Sequence, residues 1–404
     1  MGMETGTPAG VFMHELIEKV ISAFRDNYDL EPETVAVAPG RVNLIGEHTD
    51  YTGGFVLPAA INREIVIAAG KTGGDSIRGF SVNFHREAAC RVGKYDPAHP
   101  VGWFRYIMGV LRELEETGRR AGSFCFAVGG NIPIGSGLSS SAALETAMLT
   151  ALEGLYEFLM DDTEAALLCQ RAENLFVGVN CGIMDQLISR AGRKGKAMFI
   201  DCASLSMKAV PAEVPGNIWV VVDSRKRRGL VDSEYNRRRR ECEEAVRCAR
   251  KTFPGRTING LRDVETTDLP LLEKTCHETI FRRLRHIVTE NDRVLRTVQA
   301  LTSEDLAETG KLLSASHQSL RDDFEVSCGE LDILVEILQG IEGVHGARLT
   351  GAGFGGCVIA FAKSEALPRI EKEIADRYHP EGLSRGAAIW PIEVSEGARR
   401  IRQG

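Results

Sequence analysis

The side chains best able to do chemistry gather in a few short segments. Between Gly40 and Gly54, Glu47, His48 and Asp50 fall within four residues, with Thr49 among them and glycines on either side. Fixed acceptors beside one imidazole suit a sugar, whose ring hydroxyls each donate and accept. Burying one such hydroxyl unpaired costs about 1–3 kcal/mol, so a group of this kind tells epimers apart. The same residue types could ligate a metal. One imidazole and two carboxylates in a single turn find no further ligands at motif spacing, however, and the sugar reading is preferred. Arg41, just upstream, is a planar permanent cation suited to a phosphate or to a neighbouring carboxylate.

A second segment, Ile132 to Glu145, reads Ile-Pro-Ile-Gly-Ser-Gly-Leu-Ser-Ser-Ser-Ala-Ala-Leu-Glu. It follows an apolar run, Phe124 to Val128, that reads as a strand, and it ends in residues that suit a helix. Gly135 and Gly137 free the backbone to turn. Ser139, Ser140 and Ser141 then supply hydroxyls and open N–H groups where the helix starts. The positive end of the helix dipole points at the same spot, so the loop reads as a cradle for nucleotide phosphates. It is not a Walker A loop; the nearest approach, Gly70-Lys71-Thr72, has Ile65 where the first glycine belongs.

Two acids on expected helices are further candidates. Glu173 is either a solvated residue or a magnesium ligand, since Mg²⁺ usually needs only one or two carboxylates plus phosphate oxygens. Asp185 lies beside the apolar stripe Met184, Leu187, Ile188 and Ala191, near its helix start. Position alone leaves open whether it caps that helix or is kept for chemistry. Near the C-terminus, Gly351, Gly353 and Gly356 match G-x-G-x-x-G, but between two expected strands rather than at the opening of a helix. The Rossmann reading is rejected there, in favour of a glycine loop that approaches a ligand from a second domain.

These groups need elements to hold them. Leu16, Ile17, Val20, Ile21 and Phe24 recur at helical spacing, and a short strand, Val35 to Ala38, is expected to break at Pro39-Gly40. Ile65 to Ala69 reads as a strand; Phe104, Ile107, Met108, Leu111 and Leu114 mark an amphipathic helix; Thr163 is expected to cap another. Ile218 to Val222 reads as a buried strand, and Ser233 opens a helix carrying Tyr235. Helices dominate from Thr275 to about Gln339, with strands at Ala347 to Leu349 and Cys357 to Phe361. A chain of 404 residues exceeds one compact core. The loop from Pro211 to Gly216 divides it into domains 1–215 and 216–404.

Composition excludes some partners. With 49 basic and 56 acidic side chains the net charge is −7, so no global field recruits nucleic acid. The basic run Arg237 to Arg240, among Glu241, Glu243 and Glu244, is expected to be a solvated, ion-paired helix face. Ten cysteines show neither a C-x-x-C pair nor zinc spacing, and they read as the free thiols of a cytosolic protein. No apolar run reaches membrane length and the N-terminus does not read as a signal peptide, so a cytoplasmic location without a membrane partner is expected.

Taken in order, these motifs resemble the GHMP kinase superfamily, and the galactokinases closely. The segment from Gly40 to Tyr51 resembles the galactokinase signature. Gly135 to Ser141, Cys181-Gly-Ile-Met-Asp-Gln186, Ser233-Glu-Tyr235 and Thr350 to Gly356 match further motifs. The likeness extends over nearly the whole chain. It implies a two-domain α+β protein, with an N-terminal domain like ribosomal protein S5 domain 2 and a ferredoxin-like C-terminal one. The implied reaction is ATP-dependent phosphorylation of the C1 hydroxyl of α-D-galactose, feeding the Leloir pathway, by a monomer.

The resemblance also implies roles. Asp185 would accept the hydroxyl proton, and Arg41 would stabilise transition-state charge beside it. Glu47, His48, Thr49, Asp50 and Tyr235 would hold galactose. Gly135, Ser136, Gly137, Leu138, Ser139, Ser140 and Ser141 would wrap the triphosphate, with Ser141 and Glu173 on Mg²⁺. Thr52 and Ala352 depart from the usual Asn and Gly. Alternatives are a kinase of N-acetylgalactosamine or arabinose, or a non-catalytic galactose sensor. Intact Ser140-Ser141-Ala142-Ala143 and the presence of Asp185 argue against the sensor.

Overall fold

A computed structural model describes residues 9–227, 231–380 and 386–401. Helix α1 (Ala9–Tyr28) precedes strand β1 (Thr34–Asn43), β2 (Phe55–Val56), β3 (Pro58–Lys71), β4 (Ser76–Ser81) and β5 (Arg86–Arg91). Next come α2 (Gly102–Glu116), β6 (Phe124–Gly130), α3 (Ser140–Leu155), α4 (Asp162–Arg171), a π-helical turn (Ala172–Val177) and α5 (Met184–Ala191). Strands β7 (Lys196–Asp201) and β8 (Ser206–Pro211) form a hairpin before β9 (Asn217–Asp223) and α6 (Val231–Thr252). Then follow α7 (Leu269–Thr275), α8 (Glu278–Thr302), α9 (Leu306–Asp322), α10 (Gly329–Gln339), β10 (Val344–Thr350), β11 (Cys357–Lys363), α11 (Leu367–Arg377), β12 (Ala388–Ile392) and β13 (Arg399–Ile401).

Side chains two apart on a strand share a face, and the first sheet uses both faces. Val35 and Val37 pack with Val20 and Phe24 of α1, while Ala36 and Ala38 point the other way, into a core shared with α2 and α3. The sheet order is β13-β1-β3-β6-β4-β5. A second sheet, β10-β11-β9-β12, likewise buries two faces. Val220, Val222, Val358 and Ala360 meet the C-terminal helices. Trp219, Val221, Ile359 and Phe361 meet Leu44, Ile45, Ile132 and Leu138, the apolar residues of the two segments singled out above. The C-terminal sheet is therefore the wall on which both segments are mounted.

Several expectations need correction. Strand β1 does not stop at Pro39-Gly40; its pairing with β3 shifts register there and resumes, a bulge that carries the strand on to Asn43. Asp161, not Thr163, caps α4, accepting from the Thr163 N–H at 2.9 Å. A single division at residue 215 leaves the last strand on the wrong side, because β13 pairs with β1 in the N-terminal sheet. Cys248 and Cys276 are bonded to each other rather than free. Their Cα atoms lie 5.9 Å apart, and a separation of 28 residues matches no sequence motif. Among the described residues no helix is long and apolar enough to cross a membrane.

Candidate active site

The bulge in β1 fixes where Arg41 points. Gly40 lies so near the glycine–serine loop that an added Cβ would come within 2.6 Å of the Leu138 carbonyl oxygen, and the Arg41 N–H donates to that same oxygen at 3.1 Å. The guanidinium then reaches across a cavity of about 260 Å³. Its Nε donates to Asp185 Oδ1 at 2.9 Å and an Nη to Oδ2 at 2.8 Å, while the other Nη donates to the Gly137 carbonyl at 2.5 Å. The Ser139 hydroxyl also donates to Asp185 Oδ2. Asp185 sits in the first turn of α5 but caps nothing; the residue before the helix, Ile183, makes no side-chain cap bond either. The carboxylate is aimed at the cavity, about a quarter exposed, while Arg41 beside it is nearly covered.

On one side of Asp185 lies the glycine–serine loop. Gly135, Gly137 and Ser139 all take positive φ, which turns the chain sharply into α3. Ser139 precedes α3 without a side-chain cap bond, so the first N–H groups of the helix stay open beside the Ser140 and Ser141 hydroxyls. Ser136 and Leu138 do not line the cavity: the Ser136 hydroxyl donates to Pro133, and the Leu138 side chain is in the core. Arg227, which the sequence did not single out, lies against this loop, 3.7 Å from where a Cβ on Gly135 would be.

Glu173 is not a solvated residue. It falls in the π-helical turn after α4, 5 % exposed, where burial and then the nearby Asp185 charge push its carboxyl up to about 7. Gln186 donates to it at 2.7 Å and to Glu145 at 3.3 Å, and Glu145 Oε1 is left unpartnered. Burial drives Glu145 well above the usual carboxylate range. Two buried acids at a helix N-terminus, one beside the Ser141 hydroxyl, form an oxygen-rich corner that suits a hard divalent cation. Sequence reading passed over Glu145, although it stands four residues after Ser141 and so one turn along the same helix face.

On the other side lies the turn from Leu44 to Gly54. Glu47 uses both oxygens: Oε2 accepts from Asn43 at 3.0 Å and Oε1 from the Gly351 N–H at 2.6 Å. The His48 ring donates from Nε2 to the Ala352 carbonyl at 3.2 Å and accepts from the Tyr51 hydroxyl at 3.0 Å, with Tyr235 beside it at 5.6 Å. Asp50 enters the cavity where Gly182 makes room, since a Cβ there would fall 1.7 Å from Asp50 Oδ2. Burial and then Asp185 raise the Asp50 carboxyl to about 7. Thr49 does not line the cavity; its hydroxyl donates to the Gly46 and Phe55 carbonyls and holds the turn shut.

The turn is clamped from the C-terminal half. Glu290 accepts from the N–H groups of Gly46 at 2.9 Å and Glu47 at 3.4 Å, from Ser316 at 2.7 Å and from Arg293 at 2.6 Å. Burial alone would raise that carboxyl, yet Arg293, His286 and Arg348 hold it down at about 2. His286 donates to the Glu47 carbonyl at 3.1 Å, and the wholly buried Arg348 donates to those of Asn43 and Leu44.

Known proteins share this arrangement. Residues 22–71 match the galactokinase galactose-binding signature, 105–193 the GHMP kinase N-terminal domain, and 297–380 the GHMP kinase C-terminal domain. A galactokinase of Roseiflexus sp. (strain RS-1) is 41 % identical over 379 residues, spanning 94 % of this chain and 95 % of its own. The chain belongs to the galactokinase family. It is thus a sugar kinase, and ATP is the phosphoryl donor its family implies. The crystal structure of Lactococcus lactis galactokinase complexed with galactose superposes with a TM-score of 0.89 at 33 % identity, covering 96 % of this kinase and all of that chain. Mevalonate kinase of Methanococcus jannaschii, at 20 % identity and a TM-score of 0.65 over 90 % of this chain and 98 % of its own, shares the fold.

Proposed function

We propose that this kinase transfers the γ-phosphoryl group of ATP to the C1 hydroxyl of α-D-galactose, giving galactose 1-phosphate and ADP. The observation that carries the reading is Asp185, tied to Arg41 and Ser139 midway between the polar turn and the N-terminus of α3. The sugar would lie against Glu47, His48, Asp50 and Tyr235, with its C1 oxygen at Asp185; the triphosphate would lie on Gly135 to Ser141. Asp185 takes the hydroxyl proton as the C1 oxygen bonds to the γ-phosphorus, and the bond to the β-phosphate oxygen breaks. Arg41 and the N–H groups of α3 stabilise the charge that develops. Little else is needed, because phosphoryl transfer is mostly positioning and charge stabilisation.

Ser141 and Glu173 would hold Mg²⁺, which when bound neutralises phosphate charge. A cation there would offset the burial and the repulsion that hold Glu173 near 7. The acting unit is read as a monomer, and sedimentation at assay concentration tests that. The reaction itself is tested by coupled ADP release on galactose, N-acetylgalactosamine, arabinose and mevalonate. Galactose should turn over fastest; turnover of another sugar in its place would reassign the acceptor.

A further inference from the structure

The basic run on α6 is not absorbed by the kinase site, nor is it the uniformly ion-paired face its sequence suggests. Arg237 and Arg238 do pair with Glu241, at 3.0 and 3.3 Å. Arg238 is buried, donating to the Phe324 and Glu325 carbonyls at 2.7 and 2.9 Å. Arg239 turns toward a second cavity of about 890 Å³, larger than the first, together with Arg247, Arg250 and Arg262. One wall of that cavity is Tyr51, Thr52 and Gly53, the reverse side of the turn that presents Asp50 and His48 to the first. Gly260 closes on the turn so tightly that a Cβ there would lie 2.9 Å from the Thr52 carbonyl oxygen.

The four arginines are not equivalent. Arg262 forks onto Asp201 and lies over the Phe55 ring at 4.7 Å. Arg250 donates to the Ile258 and Asn259 carbonyls, at 2.6 and 3.3 Å. Both have structural work. Arg239 and Arg247 pair with no carboxylate among the described residues, and of the two acids on the lining, Asp263 already accepts from the Asn259 and Gly260 N–H groups. With Asp201 counted beside Arg262, four guanidiniums stand against three carboxylates, and in a chain of net charge −7 Arg239 and Arg247 focus positive potential into one hollow. Eight helical residues span about 12 Å, so Arg239 and Arg247 address opposite ends of whatever sits between them. Guanidiniums grip phosphate with two parallel bonds each, and a single phosphate would engage one end only.

We propose that this second cavity is an effector site for a small bisphosphorylated polyol, and that its occupation is felt by the sugar turn through Tyr51 to Gly53. The coupling half rests on the sugar reading of that turn; the binding half does not. Coupling between two sites is reciprocal, so effector and sugar must change each other's affinity by one factor.

The test uses the full chain with its phosphate loop blocked by a non-hydrolysable ATP analogue, titrated calorimetrically with fructose 1,6-bisphosphate and with fructose 6-phosphate. The bisphosphate should bind saturably and about tenfold tighter or better than the monophosphate. Binding should vanish in the double variant Arg239→Gln, Arg247→Gln, whose kcat without effector stays near wild type. In ADP-release assays the bisphosphate should shift the KM for galactose about fivefold or more in wild type and leave the double variant unmoved. No saturable binding, no preference for two phosphates, equal binding by the double variant, or binding without a KM shift each overturns the proposal. Absence of galactose turnover altogether would instead sink the proposed reaction, with effector binding still readable by heat.

Discussion

The two sides of the cavity are built on opposite plans. On the side proposed for the sugar, polar groups arrive already bonded: Glu47 to Asn43 and Gly351, His48 to Ala352 and Tyr51, the backbone beneath them to Glu290 and Arg348. On the side proposed for the phosphates the first N–H groups of α3 stay open, and Ile134 is 58 % exposed. A neutral sugar is recognised by where fixed acceptors and donors stand, so their positions must be over-determined. A polyanion is held by dipole and charge, which tolerate looseness. Asp185 stands at the join, where the two plans must agree to within a bond length.

Four substitutions test that contrast. The largest effect belongs to the join: Asp185→Asn should lower kcat by roughly 100- to 10,000-fold with ATP affinity nearly unchanged by calorimetry. A variant retaining most of its rate would show that the proton goes elsewhere. Next is the clamp under the sugar turn. Glu290→Gln leaves Arg293 without its carboxylate, and thermal unfolding at neutral pH should register a loss of about 3–5 kcal/mol together with a raised galactose KM. Because Glu290 sits below its unfolded value, its contribution is complete above about 4.5 and fades as pH falls toward 2, so the gap between variant and wild type should close in acid.

Gly182→Ala puts a methyl into the space of Asp50. It should raise the galactose KM about ten- to a hundredfold and leave the KM for ATP alone; equal damage to both would mean the two sides are not independently built. The smallest effect is on the looser side. Glu173 has a raised carboxyl there, so it favours folding fully at low pH, and that contribution is lost as pH climbs from about 4 through about 7. Glu173→Gln should therefore stabilise the ligand-free protein at pH 8 by on the order of 1–2 kcal/mol, a gain absent at pH 4, while weakening magnesium-dependent activity. Unchanged activity at limiting Mg²⁺ would return Glu173 to a structural role.

Much of this was legible because the informative residues are local. A glycine–serine loop before a helix, three polar groups within one turn, and an apolar stripe beside Asp185 each declare themselves inside a dozen residues. The grouping of Asp185 with Arg41, Glu47, Asp50 and Ser141 needed the family resemblance, since nothing in spacing brings positions 41 and 185 together. What stayed hidden is non-local. Glu290 is an ordinary-looking acid on α8 until its oxygens meet the N–H groups of Gly46 and Glu47, more than 240 residues away. Arg348 reads as a solvated strand residue until the sheet closes over it. Pro39-Gly40 signals a break because a bulge and a strand end use the same residues; only pairing with β3 tells them apart. Thr49 looked like a ligand-facing hydroxyl because sequence gives neighbourhood but not direction.

The return of β13 to the edge of β1 has a consequence for biosynthesis. Val35, Ala36 and Val37 leave the ribosome more than 360 residues before their partners Ile401, Arg400 and Arg399, and Arg399 then forks onto Glu64. Until β13 emerges the nascent N-terminal half carries an open apolar strand edge, the kind of surface that recruits chaperones or other nascent chains. Translation that stalls before Arg399 should yield a polypeptide holding every group proposed for the reaction yet prone to clump.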